Sequence, residues 1–380
     1  MPWGEEAFDE EWSKIKEDPS TLRFFAGTPR ECYYPYSDGV KEAAIALEKA
    51  ILELHLQYEM LDQSAKKAVL ESYLIEDLRA NNAIEGIASS RDDLFYLLHK
   101  GSPKAELKRF QSSVRAYALL SEGRLKAPSS PSDVRVLYDL LLQGAVTKED
   151  RIEGPLFREG PVSVVGSTEP VHAGFAPDQI EAGLQDALSA LRAKGLFGSE
   201  RFLLFHYLLE DIHPFYDGNG RLGRFLLSLG FQNEAESPFA FLVSRSIEEK
   251  KGVYYQAFRE AEKAHNFADL TAFVEPMLLL LQEGAAKAVG ELKTKRAAFE
   301  KEKERLGALR GGAKRKVAIL LLEASFYSAF GISNEEILSE TKISRRALQY
   351  ALKEFREEGM LLEKKIGKTT YQKLRLAEEG

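Results

Sequence analysis

Twelve consecutive residues, HPFYDGNGRLGR from His213 to Arg224, hold a histidine, a carboxylate, two glycines around an asparagine and two arginines. Each of these has a chemistry. His213 titrates near neutrality and can take a proton from an attacking hydroxyl. Asp217 offers a hard carboxylate oxygen of the kind that binds magnesium together with phosphates. Gly218, Asn219 and Gly220 read as a turn, and the apolar periodicity of RLGRFLLSLGF after it reads as a helix. A glycine-rich turn that opens a helix exposes backbone N–H groups and the positive end of the helix dipole, which makes a phosphate site. Asn219 can add a side-chain donor to a phosphate oxygen. Arg221 and Arg224 stand one turn apart and can reach one oligophosphate with charge-assisted bonds. Taken singly, a His before Pro, a GNG turn and an Arg pair usually have structural roles. Their uninterrupted order points instead to displacement at phosphorus, driven by positioning and electrostatics.

These residues need elements to hold them. SERFLLFHYLLEDI reads as a core helix that Pro214 ends at His213. His206 within it is expected to be buried rather than catalytic, and His55, His99, His172 and His265 lack metal-ligand spacing. Helical periodicity dominates elsewhere too, in KEAAIALEKAILELHLQYEML, KKAVLESYLIEDLRANNAIEGI and DVRVLYDLLLQGAV. Strand-like runs are few: PVSVVG at residues 161–166, and MLLEKKIGKTTYQKLRL near the C-terminus. Residues 291–312 are charged, poor in aromatics and closed by Gly311-Gly312, which reads as an exposed connector helix. Three helices and a hairpin follow, with a capping box at Ser333/Glu336 and a cap at Ser344. That order is that of a winged helix-turn-helix, whose third helix would enter a nucleic-acid groove. Residues 313–375 carry 13 Lys/Arg against 8 Glu, a balance of +5, so the rest of the chain carries −12 of the net −7. The asymmetry suits DNA contact by this small unit through Arg345, Arg346, Lys364, Lys365 and Lys368, with dimerisation or protein contact as the alternative use.

Bulk properties exclude other classes. The 380 residues are 44% hydrophobic and 29% charged, as in a globular protein large enough to bury a core without disulfides. A net acidic chain has no general attraction to nucleic acid or anionic membrane. The single cysteine, Cys32, permits neither a disulfide framework nor a zinc cluster. No apolar run is long enough for a bilayer and the acidic N-terminus does not resemble a signal peptide, so a cytoplasmic location is expected.

HPFYDGNGRLGR resembles the signature of the Fic proteins: His-Pro-Phe, any residue, Asp or Glu, Gly-Asn-Gly-Arg, two residues, Arg. Every specified position matches. The resemblance runs loosely over residues 40–290. It implies a mainly α fold, a Fic-type helical core with a short β-hairpin flap, and here a C-terminal winged helix besides. It implies ATP with Mg2+ and transfer of AMP to a hydroxyl of a target protein, or of the enzyme itself, with release of pyrophosphate. His213 is then the base and Asp217 the metal ligand. Gly218, Asn219 and Gly220 form the anion cradle, Arg221 and Arg224 orient the outer phosphates, and Phe215 anchors the loop. The intact GNG favours the AMP-transferring branch over the phosphorylating one. PVSVVG followed by EPVHAGFAP resembles the flap that docks the target, with Ser163, Val164 and Val165 at its first strand. VYYQAF, Val253 to Phe258, resembles the segment around the adenine, which makes Tyr254 and Tyr255 candidates for nucleotide contact. ANNAIEGI resembles the family's inhibitory helix, with Glu85 as the inhibitory carboxylate. Asn81 stands where Ser or Thr is usual and can hydrogen-bond in the same place. The resulting expectation is an N-terminal region carrying the inhibitory helix (1–110), a catalytic core (111–290), a connector (291–312) and a winged helix-turn-helix domain (313–380). The oligomeric state is open, with a homodimer the assembly that the resemblance suggests. Two other readings remain: a DNA-binding regulator whose Fic domain only senses nucleotide, and removal of AMP from a modified protein.

Overall fold

The computed structural model describes residues 5–35, 37–100, 105–165, 170–235, 237–306 and 312–376. The fold is mainly α, with small antiparallel sheets at its edges. The helices are α1 (Glu5–Glu17), α2 (Asp38–Glu59), α3 (Gln63–Ile84), α4 (Arg91–Lys100), α5 (Gln111–Ser121), α6 (Pro131–Leu142), α7 (Ile180–Ala187) and α8 (Gly198–Ile212). They continue as α9 (Asn219–Ala235), α10 (Val243–Glu249), α11 (Lys251–Ala261), α12 (Thr271–Leu306), α13 (Gly312–Tyr327), α14 (Asn334–Thr341) and α15 (Arg345–Glu357). The strands are β1 (Leu22–Phe24), β2 (Cys32–Tyr34), β3 (Ser163–Val165), β4 (Pro170–Ala173), β5 (Ile332–Ser333), β6 (Leu361–Ile366) and β7 (Thr369–Leu374).

Helices α8 and α9 form the centre. Leu203, Leu204, Leu208, Leu209 and Ile212 of α8, and Leu222, Phe225, Leu227 and Leu229 of α9, are sealed from solvent. Both helices are buried on most of their circumference, which is why they read as apolar nearly all round. Helix α3 is likewise buried on several faces towards its C-terminal end, whereas α2 lays one stripe against its neighbours. In α2 the stripe is Val40, Ala43, Ala44, Leu47, Ile51 and Leu54. Helix α6 starts on a Ser130–Asp133 capping box with Pro131 at its first position, which satisfies N–H groups that a helix start otherwise leaves open.

No chain break falls near residue 290. Helix α12 runs without interruption from Thr271 to Leu306, about 54 Å. Its first half buries Phe273, Val274, Met277, Leu278 and Leu281. The charged stretch expected as a separate connector is therefore the far end of a core helix. After it, α13, α14 and α15 are followed by the β6–β7 hairpin around Gly367, and β5 adds a third strand in the order β5-β7-β6. Ser333 and Glu336 form the expected capping box and Ser344 caps α15. The hairpin tip is not turned to solvent on all sides: Lys364 Nζ pairs with Asp92 of α4 at 2.6 Å. The β1–β2 hairpin was not anticipated; three-residue strands carry too little alternation to be seen.

Candidate active site

The loop between α8 and α9 is built from the inside. His213 closes α8 in the left-handed region (φ 54°), and its N–H still donates to Leu209 O at 3.0 Å. Pro214 then forbids a further helical turn. Phe215 is fully buried and stacks on Tyr138 of α6, centroids 3.6 Å apart and planes 8° from parallel. Burying a phenyl ring is worth about 2 kcal/mol, which fixes the loop to the core. Gly218 adopts φ +87°, a conformation that favours glycine, and α9 begins at the next residue. The N–H groups of Asn219, Gly220 and Arg221 thus lie at a helix N-terminus without intrahelical acceptors.

The Asn219 side chain has a different task from the one its type suggested. Its Oδ1 accepts from Phe215 N at 3.0 Å and its Nδ2 donates to Phe215 O at 2.8 Å. It is buried and closes the loop on itself, so its contribution to an anion comes from its backbone N–H. Asp217 is half-exposed and accepts from Arg221 Nη2 at 2.8 Å. His213 Nδ1 lies 3.2 Å from Glu210 O. A carbonyl can only accept, so Nδ1 carries the proton of that bond.

Helix α3 ends against this loop. Arg224 is 1% exposed and donates from Nη2 to Glu85 Oε1 at 2.6 Å. Its Nε donates to Asn81 Oδ1 at 2.8 Å, and Nη2 also reaches Asn81 O at 3.3 Å. Asn81 in turn donates from Nδ2 to Arg221 O at 3.1 Å and to Tyr117 Oη at 3.2 Å. Glu85 caps the end of α3, Gly86 turns the chain away with φ +73°, and Lys251 Nζ donates to Ile84 O at 2.5 Å. Burial works to raise the Glu85 pKa, but the Arg224 charge and hydrogen bond, with Arg221 and Lys251 behind them, hold it below the usual value. Gly220 sits where a methyl group would collide with Glu85 Oε1 and approach Arg224 Nη1 to 3.1 Å. The carboxylate therefore reaches Arg224 across the glycine of the cradle itself.

Several supporting residues carry no signal in the sequence. Arg158, 2% exposed, donates to four carbonyls: His213 O (2.7 Å), Gly160 O (2.7 Å), Phe175 O (2.6 Å) and Ile212 O (3.4 Å). It binds the end of α8 to the chain on either side of β3 and β4. Tyr216 Oη accepts from the N–H of Gly160 at 2.9 Å. Glu210 is pushed up to about 8 by burial, against the pull of Arg224 and with the push of Glu85. His206 is buried, as expected, and its pKa falls to about 3 through burial and then Arg224. Tyr254 is a core residue whose hydroxyl lies 3.0 Å from His206 Nε2; Tyr255 is half-buried beside Lys251. Of the two, Tyr255 retains the surface that nucleotide contact needs. Strands β3 and β4 pair as a hairpin with an irregularity after Val164. The side chains of Ser163, Val164 and Val165, and residues 166–169, lie outside the described residues.

A helical core thus brings together a histidine, a glycine-rich turn at a helix N-terminus and an arginine held by an incoming carboxylate. Residues 128–229 match the model of the Fic/DOC family. A protein adenylyltransferase, fic-1, of Caenorhabditis briggsae is 28% identical over 148 residues, 34% of this chain and 27% of the relative. The C. elegans fic-1 adenylyltransferase matches to the same extent. The match thus spans about a quarter of the length of these relatives. Among solved structures, a Fic family protein of Desulfovibrio desulfuricans superposes with a TM-score of 0.58 at 20% identity, over 91% of this chain and 99% of that one. A Fic domain-containing signaling protein of Bacteroides thetaiotaomicron gives 0.51 at 19% identity, over 67% and 95%. At these identities the likeness is one of fold.

Proposed function

We propose that the protein transfers AMP from ATP to a hydroxyl of a target protein or of itself, and that Glu85 restrains the reaction. The observation that carries this reading is the Arg224–Glu85 pair at the mouth of the anion cradle, 2.6 Å long. An arginine so deeply buried beside a helix N-terminus is suited to the outermost phosphate of ATP. A carboxylate already bound to it displaces that phosphate and takes the α-phosphorus out of line.

The residues supply the steps in order. The N–H groups of Asn219, Gly220 and Arg221 and the guanidinium groups of Arg221 and Arg224 bind the phosphates. Nε2 of His213 takes the proton of the attacking hydroxyl as its oxygen bonds to the α-phosphorus. The bond from the α-phosphorus to the bridging oxygen breaks, and pyrophosphate leaves with that electron pair. Magnesium fits this donor set. Among the described residues no group of three His, Cys, Asp or Glu could hold a metal alone. One half-exposed carboxylate, Asp217, completed by nucleotide phosphates, is how magnesium is commonly held. Bound there, it would neutralise charge on the phosphates.

For the C-terminal unit we propose DNA as the partner. Arg345, Arg346, Gln349 and Lys353 are all exposed on α15, and Lys365 and Lys368 on the hairpin. No helix among the described residues is long and apolar enough to cross a membrane. Incubation with α-labelled ATP tests the catalytic reading: label should pass to protein, more so after Glu85→Gly. Label released only as free AMP would contradict it.

A further inference from the structure

Two helices flank the Glu85–Gly86 turn, and the C-terminal unit grips both. On α3, Ser72 Oγ gives its one proton to Ala68 O at 2.7 Å, accepts from Ala329 N at 3.0 Å and lies 3.3 Å from Tyr327 O. Ser64 bonds the buried Glu323, and Lys67 pairs with Glu336 at 3.3 Å. On α4, Phe95 stacks on Phe330 with centroids 3.9 Å apart and meets Tyr371 edge-on at 4.9 Å. All three rings are buried. The β6–β7 tip rests on the same helix: any Cβ at Gly367 would come within 2.7 Å of Tyr96, and Lys364 pairs with Asp92.

We propose that the C-terminal unit is a brace that holds α3 in the position from which Glu85 reaches Arg224. This rests on the reading of Glu85 as the competitor for the outer phosphate. A helix is stiff along its axis, so Ser72, 13 residues and about 20 Å from Glu85, sets where the carboxylate arrives. The far side of the turn is held by a buried aromatic stack, and a close-packed stack resists gradual deformation. Phe330, Tyr371 and Ser72 are thus positioning residues: they touch no substrate and act through Glu85. Loosening the brace lets α3 withdraw and frees Arg224 for ATP.

The test uses the full chain with Glu85 present and in the Glu85→Gly background. Phe330→Ala removes the stack on Phe95. Lys364→Glu breaks the surface pair to Asp92 without touching the core, and Asp92→Lys added to it restores the pair with signs reversed. Amide exchange at residues 80–86 and transfer of label from α-labelled ATP are both read. Phe330→Ala should speed exchange at 80–86 and raise transfer at least about fivefold, the lower range of a typical coupling between sites. Lys364→Glu should move both in the same direction by less, and Asp92→Lys should reverse it. In the Glu85→Gly background neither variant should raise transfer further, since the restraint is already gone. Unchanged exchange at 80–86, or an equal change of transfer in both backgrounds, overturns the brace. If exchange responds while Glu85→Gly itself leaves transfer unchanged, the brace stands and the inhibitory reading of Glu85 falls.

Discussion

His213 and Glu210 sit three residues apart at the end of α8, and the two carry different predictions. In the proposed reaction His213 acts on the incoming hydroxyl and does not hold phosphate. His213→Ala should lower transfer by about 10²–10⁴-fold, the usual worth of a general base, while ATP affinity measured by titration stays close to wild type. Lost affinity with unchanged turnover would reassign the residue. Glu210 is held near pKa 8, well above its unfolded value. Its neutral form is favoured in the fold, so its contribution to stability is complete below the unfolded pKa, about 4.3, and is lost as pH rises through about 8. Glu210→Gln should therefore gain in melting temperature relative to wild type between about pH 5.5 and pH 8.5. A constant difference across that range would mean that Glu210 is ionised throughout. The residues of the loop were legible in the sequence because they are contiguous, and a turn that opens a helix brings neighbours in sequence together in space. The use of Asn219 was not legible. An asparagine can serve an anion or its own backbone, and only the closed loop shows that Phe215 takes both ends of the amide.

The α8–α9 unit depends on an arginine that no motif announces. Arg158 lies in a loop, and its acceptors are carbonyls of residues far apart in the chain; carbonyls have no sequence signature. Arg158→Gln should leave several carbonyls at the end of α8 without donors, each costing about 1–3 kcal/mol. A melting temperature lowered by several degrees, with transfer reduced, is the expected outcome; an unchanged melting curve would show that water replaces the guanidinium. Helix α3 teaches a similar lesson. Its apolar periodicity and glycine stop were readable, and so was Glu85. That Asn81 fastens Arg224 and Arg221 O at once was not, because those partners are about 140 residues away. The capping boxes at Ser130 and Ser333 illustrate the opposite case: partners three residues apart leave a pattern that survives into the fold.

At the scale of the molecule, an acidic helical body carries a basic C-terminal unit against α3 and α4. The order of helices and strands in that unit followed from local caps and periodicity, whereas its seat on α3 and α4 could not, since Phe95 and Phe330 are joined only by tertiary packing. If α15 binds DNA as proposed, affinity should fall steeply with salt, and replacing Arg345 and Arg346 by Gln should reduce the slope of log K against log[salt] by about 2. A salt-independent interaction would assign the surface to a protein. The central claim is that Glu85 occupies Arg224 and so withholds it from ATP. The most direct measurement is incorporation of label from α-labelled ATP into the protein itself, for wild type, Glu85→Gly, and Glu85→Gly with Arg224→Ala. Relief of a few kcal/mol at the barrier predicts a rise of about a hundredfold for Glu85→Gly. The gain should vanish when Arg224 is also removed, because both residues act on one phosphate. Equal incorporation by wild type and Glu85→Gly would contradict the claim and reduce ANNAIEGI to a capped helix end.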